Sequence, residues 1–253
     1  MTAFALRAIA LLCMLLDHVG VILPLPHPLL RLSLRAVGRL AFPLFAFLIA
    51  NGYRHTKSRR RYALRLLALA LFSEPFFDLS LRGRLWDPSA QNVFFTLLLG
   101  LLAITVFESL ERRGALLAIL ASVGVILVAD LLKSDYGALG AALILGFHFA
   151  KRKPLPTALL LSCFSLFDLA RFYARFVGAR LPFFSYFVSV PPTSPIPSTW
   201  SLVKLAALLA LPLLLCYNGK KGYSPRAPWA AKLLQLFFYL FYPFHLLLLW
   251  CLA

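Results

Sequence analysis

Acidic residues are scarce in this chain: 9 Asp and Glu stand against 26 Lys and Arg in 253 residues, a formal net charge of +17. Charged residues of both signs make up only 14% of it, while 61% is hydrophobic and the mean hydropathy is +0.84. Soluble domains run near 25% charged, so too little polar surface is present to clothe one. The same shortage excludes a nucleic-acid binder, which needs its basic residues gathered on a polar face. Cysteine is rare too. Cys13, Cys163, Cys216 and Cys251 all lie inside apolar runs without CxxC spacing, and read as small buried hydrophobes rather than disulfides or metal ligands. Walker loops, GxSxG elbows, HExxH and GxGxxG are missing, so NTP hydrolysis, serine hydrolysis, zincin and dinucleotide chemistry have no support.

Long apolar runs are what the chain has instead. A helix needs about 20 residues to cross a bilayer core, and spans are expected near 4–24, 36–53, 62–80, 92–109, 115–132, 136–150, 156–176, 200–217 and 232–252. The periodicity is helical and nothing alternates as in a barrel. The expected fold is therefore an all-α polytopic bundle of about nine transmembrane helices, within eight to ten, forming a single domain over 1–253. A Pro-rich break at 179–199 reads as an outer-side loop, because its prolines cannot sustain a helix, and Ser198 and Thr199 read as a cap for the next span. The first span carries Asp17-His18 and lacks a small-residue cleavage pattern, so it is expected to stay in the mature protein.

Most of the 26 basic residues fall on one side of this topology, in the segments Arg54–Arg65, Arg112-Arg113, Lys151–Lys153 and Lys220–Lys232. Positive-inside bias makes that side cytoplasmic and places the N-terminus inside. These inner charges serve as orientation signals or attract the phosphates of a cytosolic coenzyme.

Ionisable residues at membrane depth are costly and therefore functional candidates. Asp17 and His18 lie in the first span; Arg35 and Arg39 are spaced i, i+4 at the second, with Asn51 and His55 at its other end. Glu74 and Asp78 flank Pro75 in the third span, Asn92 opens the fourth, and Tyr242 and His245 sit beside Pro243 in the last. Asp17, His18, Arg35, Arg39, Glu74, Asp78, Asn92 and His245 fall in the outer half, as a polar chamber would require. Two plainer readings stand beside this one. The arginines could snorkel to the interface, and Glu74 and Asp78 could only neutralise them. Asp168, Arg171 and Arg175 read as an interfacial ladder, and His148 as an interface histidine. A histidine in such a site can act as general base while an arginine stabilises an oxyanion. Asp17 lies about 100° around the helix from its neighbour, so spacing alone does not make it the partner of His18.

The series Met14–Gly20, Arg35–Phe47, Asn51–Thr56, Ser73–Asp78 and Asn92–Gly100 resembles the TraX family, with Tyr136-Gly137 and Tyr242–His245 matching its later signatures. The resemblance is dense over 10–100 and sparser beyond. It implies a bacterial inner-membrane acyltransferase, named for acetylating pilin, that takes acetyl-CoA from the cytosolic side and uses no metal. His18 would be the catalytic base, and Arg35 and Arg39 the donor or oxyanion contacts. Asp17, Glu74 or Asp78 would be the acidic partner, with Asn92, Asn51, His55, Tyr242 and His245 completing the pocket. The acceptor would be an amine or hydroxyl of a peptide N-terminus, a glycan or a small molecule. A transporter or channel with a charged pathway, or a scaffold of a conjugation or secretion apparatus, are the alternatives.

Overall fold

The computed structural model describes residues 1–176, 203–223, 225 and 227–253, and the regular elements among them are helical. The expected Pro-rich loop at 179–199 and the Ser198-Thr199 cap lie outside the described residues, as do the side chains of Asp168, Arg171 and Arg175. Helix α1 covers Ala3–Ile22 and is capped by Thr2, whose hydroxyl accepts from the Ala5 amide at 3.3 Å. It stops before Pro24, as the residue preceding a proline avoids the helical region. Pro28 then occupies the first turn of α2, Pro28–Gly38, where a missing N–H is no loss. Helix α3 is Ala41–His55.

The second expected span, 36–53, is thus corrected: helix begins at Pro28, and it is interrupted at Arg39-Leu40. Pro43 accounts for the break, since it has no N–H to offer the Arg39 carbonyl. Arg35 consequently stands in the last turn of α2, and Arg39 at the junction with α3.

Helix α4, Arg59–Arg82, starts on the Ser58 hydroxyl and ends on Gly83 at φ 68°, a left-handed cap that suits glycine. Then follow α5 (Val93–Leu110), α6 (Ala115–Leu131), α7 (Gly137–Ala150) and α8 (Pro154–Phe176). A 3₁₀ turn at Ala206–Leu209 leads into the short α9 (Ala210–Leu215), and α10 closes the chain over Pro228–Leu252. Among the described residues, four helical stretches are long and apolar enough to cross a membrane: Ala3–Ile22, Pro28–His55, Val93–Leu110 and Pro228–Leu252. Helices α6 and α7 are apolar but shorter.

Helix α5 lies centrally, against α3, α4, α6 and α7, while α1 packs on α2, α3 and α10. Close approach depends on small residues. At Gly100 a Cβ would meet Ile144, and at Gly140 it would meet Phe42 and Thr96. Helix α6 has the polarity of a lipid-facing helix: Ala118 and Ser122 are buried, whereas Leu116 is 70% and Leu120 60% exposed. Small residues inward and large apolar ones outward is the membrane pattern, in which packing rather than water exclusion joins the helices.

Candidate functional site

Successive residues of a helix point about 100° apart, and α1 uses that angle to address two neighbours. Asp17 faces α2. Its Oδ2 accepts from Arg35 Nη1 at 2.7 Å and its Oδ1 from Arg39 Nη2 at 3.4 Å. Gly38 makes this possible, because a Cβ there would collide with the Asp17 carboxylate. A second close approach follows one turn on, where Arg31 Nε donates to the Gly20 carbonyl at 2.9 Å. His18 faces α10 instead. Its Nδ1 lies 2.7 Å from Nε2 of His245, whose Nδ1 is 2.7 Å from the Phe241 carbonyl.

Tyr242 forms the floor beside this pair. It is buried, with its ring 6.1 Å from that of His18, 5.6 Å from that of His245 and 5.1 Å from Phe94 on α5. Beneath it, Leu11, Cys13, Met14, Phe77 and Leu246 form an apolar cluster shared by α1, α4 and α10.

The expected residues divide into three groups. Asp17, His18, Arg35, Arg39, Tyr242 and His245 come together. Glu74 and Asn92 adjoin them across Phe94 and bind each other: Glu74 Oε2 accepts from the Asn92 backbone N–H at 3.2 Å and from its side-chain amide. Asn92 also caps α5 by accepting from the Phe94 amide at 3.0 Å, and donates to the Ala70 carbonyl of α4 at 2.8 Å. Its first structural duty is to staple α5 to α4. Glu74 Oε1 is buried with no hydrogen-bond partner among the described residues.

Asp78 is a clamp. It accepts from Arg82 Nη1 at 2.8 Å and from the Asp87 amide at 2.7 Å, while Arg82 also donates to the carbonyls of Asp87 and Ala90. That ties the connection after α4 to its last turn. Hydrogen bonds from Ser89 in the same connection hold the Asp87 carboxyl below its usual range. The expectation that Glu74 and Asp78 neutralise Arg35 and Arg39 is therefore corrected: Asp17 does so, because the Gly38 contact brings it within reach. Nor is an acid the partner of His18 among the described residues; that partner is His245.

Asn51 and His55 stand at the far end of α3, roughly 18 Å and 24 Å from Arg39 at about 1.5 Å per residue. Asn51 donates to Tyr217 Oη at 3.0 Å, and His55 is exposed. They do not join the His18 group. The polar centre at that end is Glu108, which the sequence reading passed over. It accepts from Tyr53 Oη at 3.0 Å, pairs with Arg59 at 2.5 Å and lies 3.3 Å from His148 Nε2. A lone acid ending an apolar run was the signal for it. His148, expected as an interface histidine, reaches Glu108 through Nε2, while its Nδ1 is buried with no hydrogen-bond partner among the described residues.

A protein whose described elements are helical, with several membrane-length helices, carrying a part-buried acid held by two arginines and a histidine pair near one end of the bundle, is the class these observations define. The chain belongs to the TraX family: the family model for TraX protein matches residues 3–253. It is also similar to the probable fimbrial assembly protein FimC, serogroup H1, of Dichelobacter nodosus, at 29% identity over 260 residues, covering 98% of this chain and 94% of that one. No solved structure is a significant match.

Proposed function

We propose that this TraX-family protein is a membrane-embedded acyltransferase that moves an acetyl group from acetyl-CoA to an amine or hydroxyl acceptor at or across the membrane. The observation that carries the reading is the placement of His18 against the imidazole of His245, while Asp17 is held by two arginines. A histidine bound to a second imidazole is oriented and remains available to exchange a proton.

In this reading the acceptor N–H or O–H gives its proton to His18 as its nitrogen or oxygen attacks the thioester carbonyl carbon. The C–S bond breaks, CoA leaves as the thiolate, and the proton passes from His18 to that sulfur. The products are the acetylated acceptor and free CoA thiol. Arg35 and Arg39, steadied by Asp17, supply positive charge for the developing oxyanion or for an anionic part of the donor. Tyr242, Glu74 and Asn92 form the wall on the α4–α5 side. The similarity to a probable fimbrial assembly protein of Dichelobacter nodosus favours a fimbrial or pilin peptide N-terminus as acceptor over a glycan or a small molecule.

About nine spans, a cytoplasmic N-terminus and an inner-membrane location complete the proposal, supported by the excess of basic residues in alternate connections. The donor would enter from the basic side.

Purified protein in nanodiscs, given labelled acetyl-CoA and a pilin-type peptide, tests this. Acetylated peptide or released CoA is expected, with a loss of 10²-fold or more in His18→Ala at unchanged thermal stability. Flux of a solute in proteoliposomes without any acyl donor, and no donor turnover, would support a transporter instead. Intact fimbrial assembly with His18→Ala would support a scaffold.

A further inference from the structure

The histidine pair carries more information than proximity. His245 Nδ1 sits 2.7 Å from the Phe241 carbonyl, and a carbonyl only accepts, so this nitrogen bears the hydrogen. A neutral imidazole has one N–H, which leaves His245 Nε2 as an acceptor. His18 Nδ1, 2.7 Å from that atom, must then be the donor. The one nitrogen left with a lone pair in the chain of hydrogen bonds is His18 Nε2.

We propose that His245 is the positioning residue that fixes His18 as the Nδ1–H tautomer and holds its Nε2 free to take a proton. Its catalytic importance rests on the acyl-transfer reading above; the tautomer itself does not.

The local structure suits this role. Phe241 restrains His245 twice, through its carbonyl and through its ring, which stacks on the imidazole at 5.1 Å and 19°. Turning the His245 ring over would give up both contacts. Among the described residues, the charged groups around the pair include Asp17 on α1, Arg35 on α2 and Arg39 at the junction with α3, with Asp135 of the α6–α7 connection interacting with the same arginines. Tyr242 faces it from α10 and Asp17 is engaged with the arginines. The usual carboxylate orienter is replaced here by an imidazole, which adds no second anion beside Asp17. When His18 Nε2 takes a proton, its Nδ1–H still points at His245 Nε2, and the positive charge is shared along that bond. The His245 Nδ1 hydrogen stays on the Phe241 carbonyl. The relay ends there, so His18 alone exchanges protons with reactants.

Nitrogen-15 NMR of the full chain in nanodiscs, labelled at histidine and assigned by difference against His18→Ala, reads the tautomer without any turnover. The expected spectrum at neutral pH shows both rings neutral and both as Nδ1–H. His245→Gln, whose carbonyl oxygen can accept from His18, is expected to keep that tautomer, and His245→Leu to lose it. In the acyl-transfer assay His245→Leu should lower kcat about 10²–10⁴-fold with KM little changed, and His245→Gln should recover most of the loss. An Nε2–H tautomer for His18 in the unaltered protein would overturn the inference, as would a tautomer and kcat indifferent to His245→Leu. If the tautomer is as expected but no acyl transfer occurs in the unaltered protein, the acyl-transfer reading fails and the assignment of His245 stands.

Discussion

Asp17 and His18 are neighbours in sequence with separate tasks, and the helical angle between them is the reason. Asp17 balances Arg35 and Arg39, and all three side chains are between 12% and 21% exposed. Replacing it with Asn removes the anion that both guanidinium groups contact. The cost should fall between that of an exposed pair and a fully buried one, about 2 kcal/mol. Thermal unfolding in detergent is expected to show Asp17→Asn melting below the parent; an unchanged Tm would mean that the pair contributes nothing. These residues were legible from sequence because an ionisable group in an apolar run is conspicuous. Which of them pair was not legible. That depended on the approach of α2 at Gly38 and of α10 at His245, and neither approach has a signature in local spacing.

At the scale of elements, the start and end signals written in the chain worked where they were local. Thr2, Ser58 and Asn92 cap the helices that follow them, and Gly83 closes α4. The apolar runs of α1, α5 and α10 matched their helices to within a few residues of the expected spans. The second span fared worse, because Pro43 breaks a predominantly apolar run, and hydropathy does not register a lost backbone donor. The connection after α4 illustrates another limit. Asp78 lies at helical spacing from Glu74, but its partners are Arg82 and the Asp87 amide, which approach only when the chain turns at Gly83. Asp78→Ala should therefore release this connection, seen as faster amide hydrogen exchange at Asp87, with the Asn92 cap of α5 retained. Protection at Asp87 equal to that of the parent would contradict the clamp.

Over the whole molecule, two acids hold polar groups in place at opposite ends of the bundle. Glu108 does this at one end with Tyr53, Arg59 and His148, and Asp17 does it at the other with Arg35 and Arg39. The proposed nine spans place the two chain ends on opposite sides of the membrane. A fluorescent protein fused before Met1 is expected to be bright, and alkaline phosphatase fused after Ala253 active. An inactive phosphatase there would require an even number of spans. Helical class was legible from composition and period, whereas the number of crossings depends on α6, α7 and the short α9, whose lengths fall below or at the edge of a membrane span.

The central claim is that His18 meets the acyl donor. A structure of the protein bound to a non-hydrolysable acetyl-CoA analogue in nanodiscs tests it most directly. The account predicts the CoA phosphates toward the basic end and the acyl group beside His18. The acyl carbonyl carbon should leave room for an acceptor atom about 3–3.5 Å away and within hydrogen-bond reach of His18 Nε2. An analogue bound with its acyl group remote from His18, or no analogue bound at saturating concentration, would contradict it.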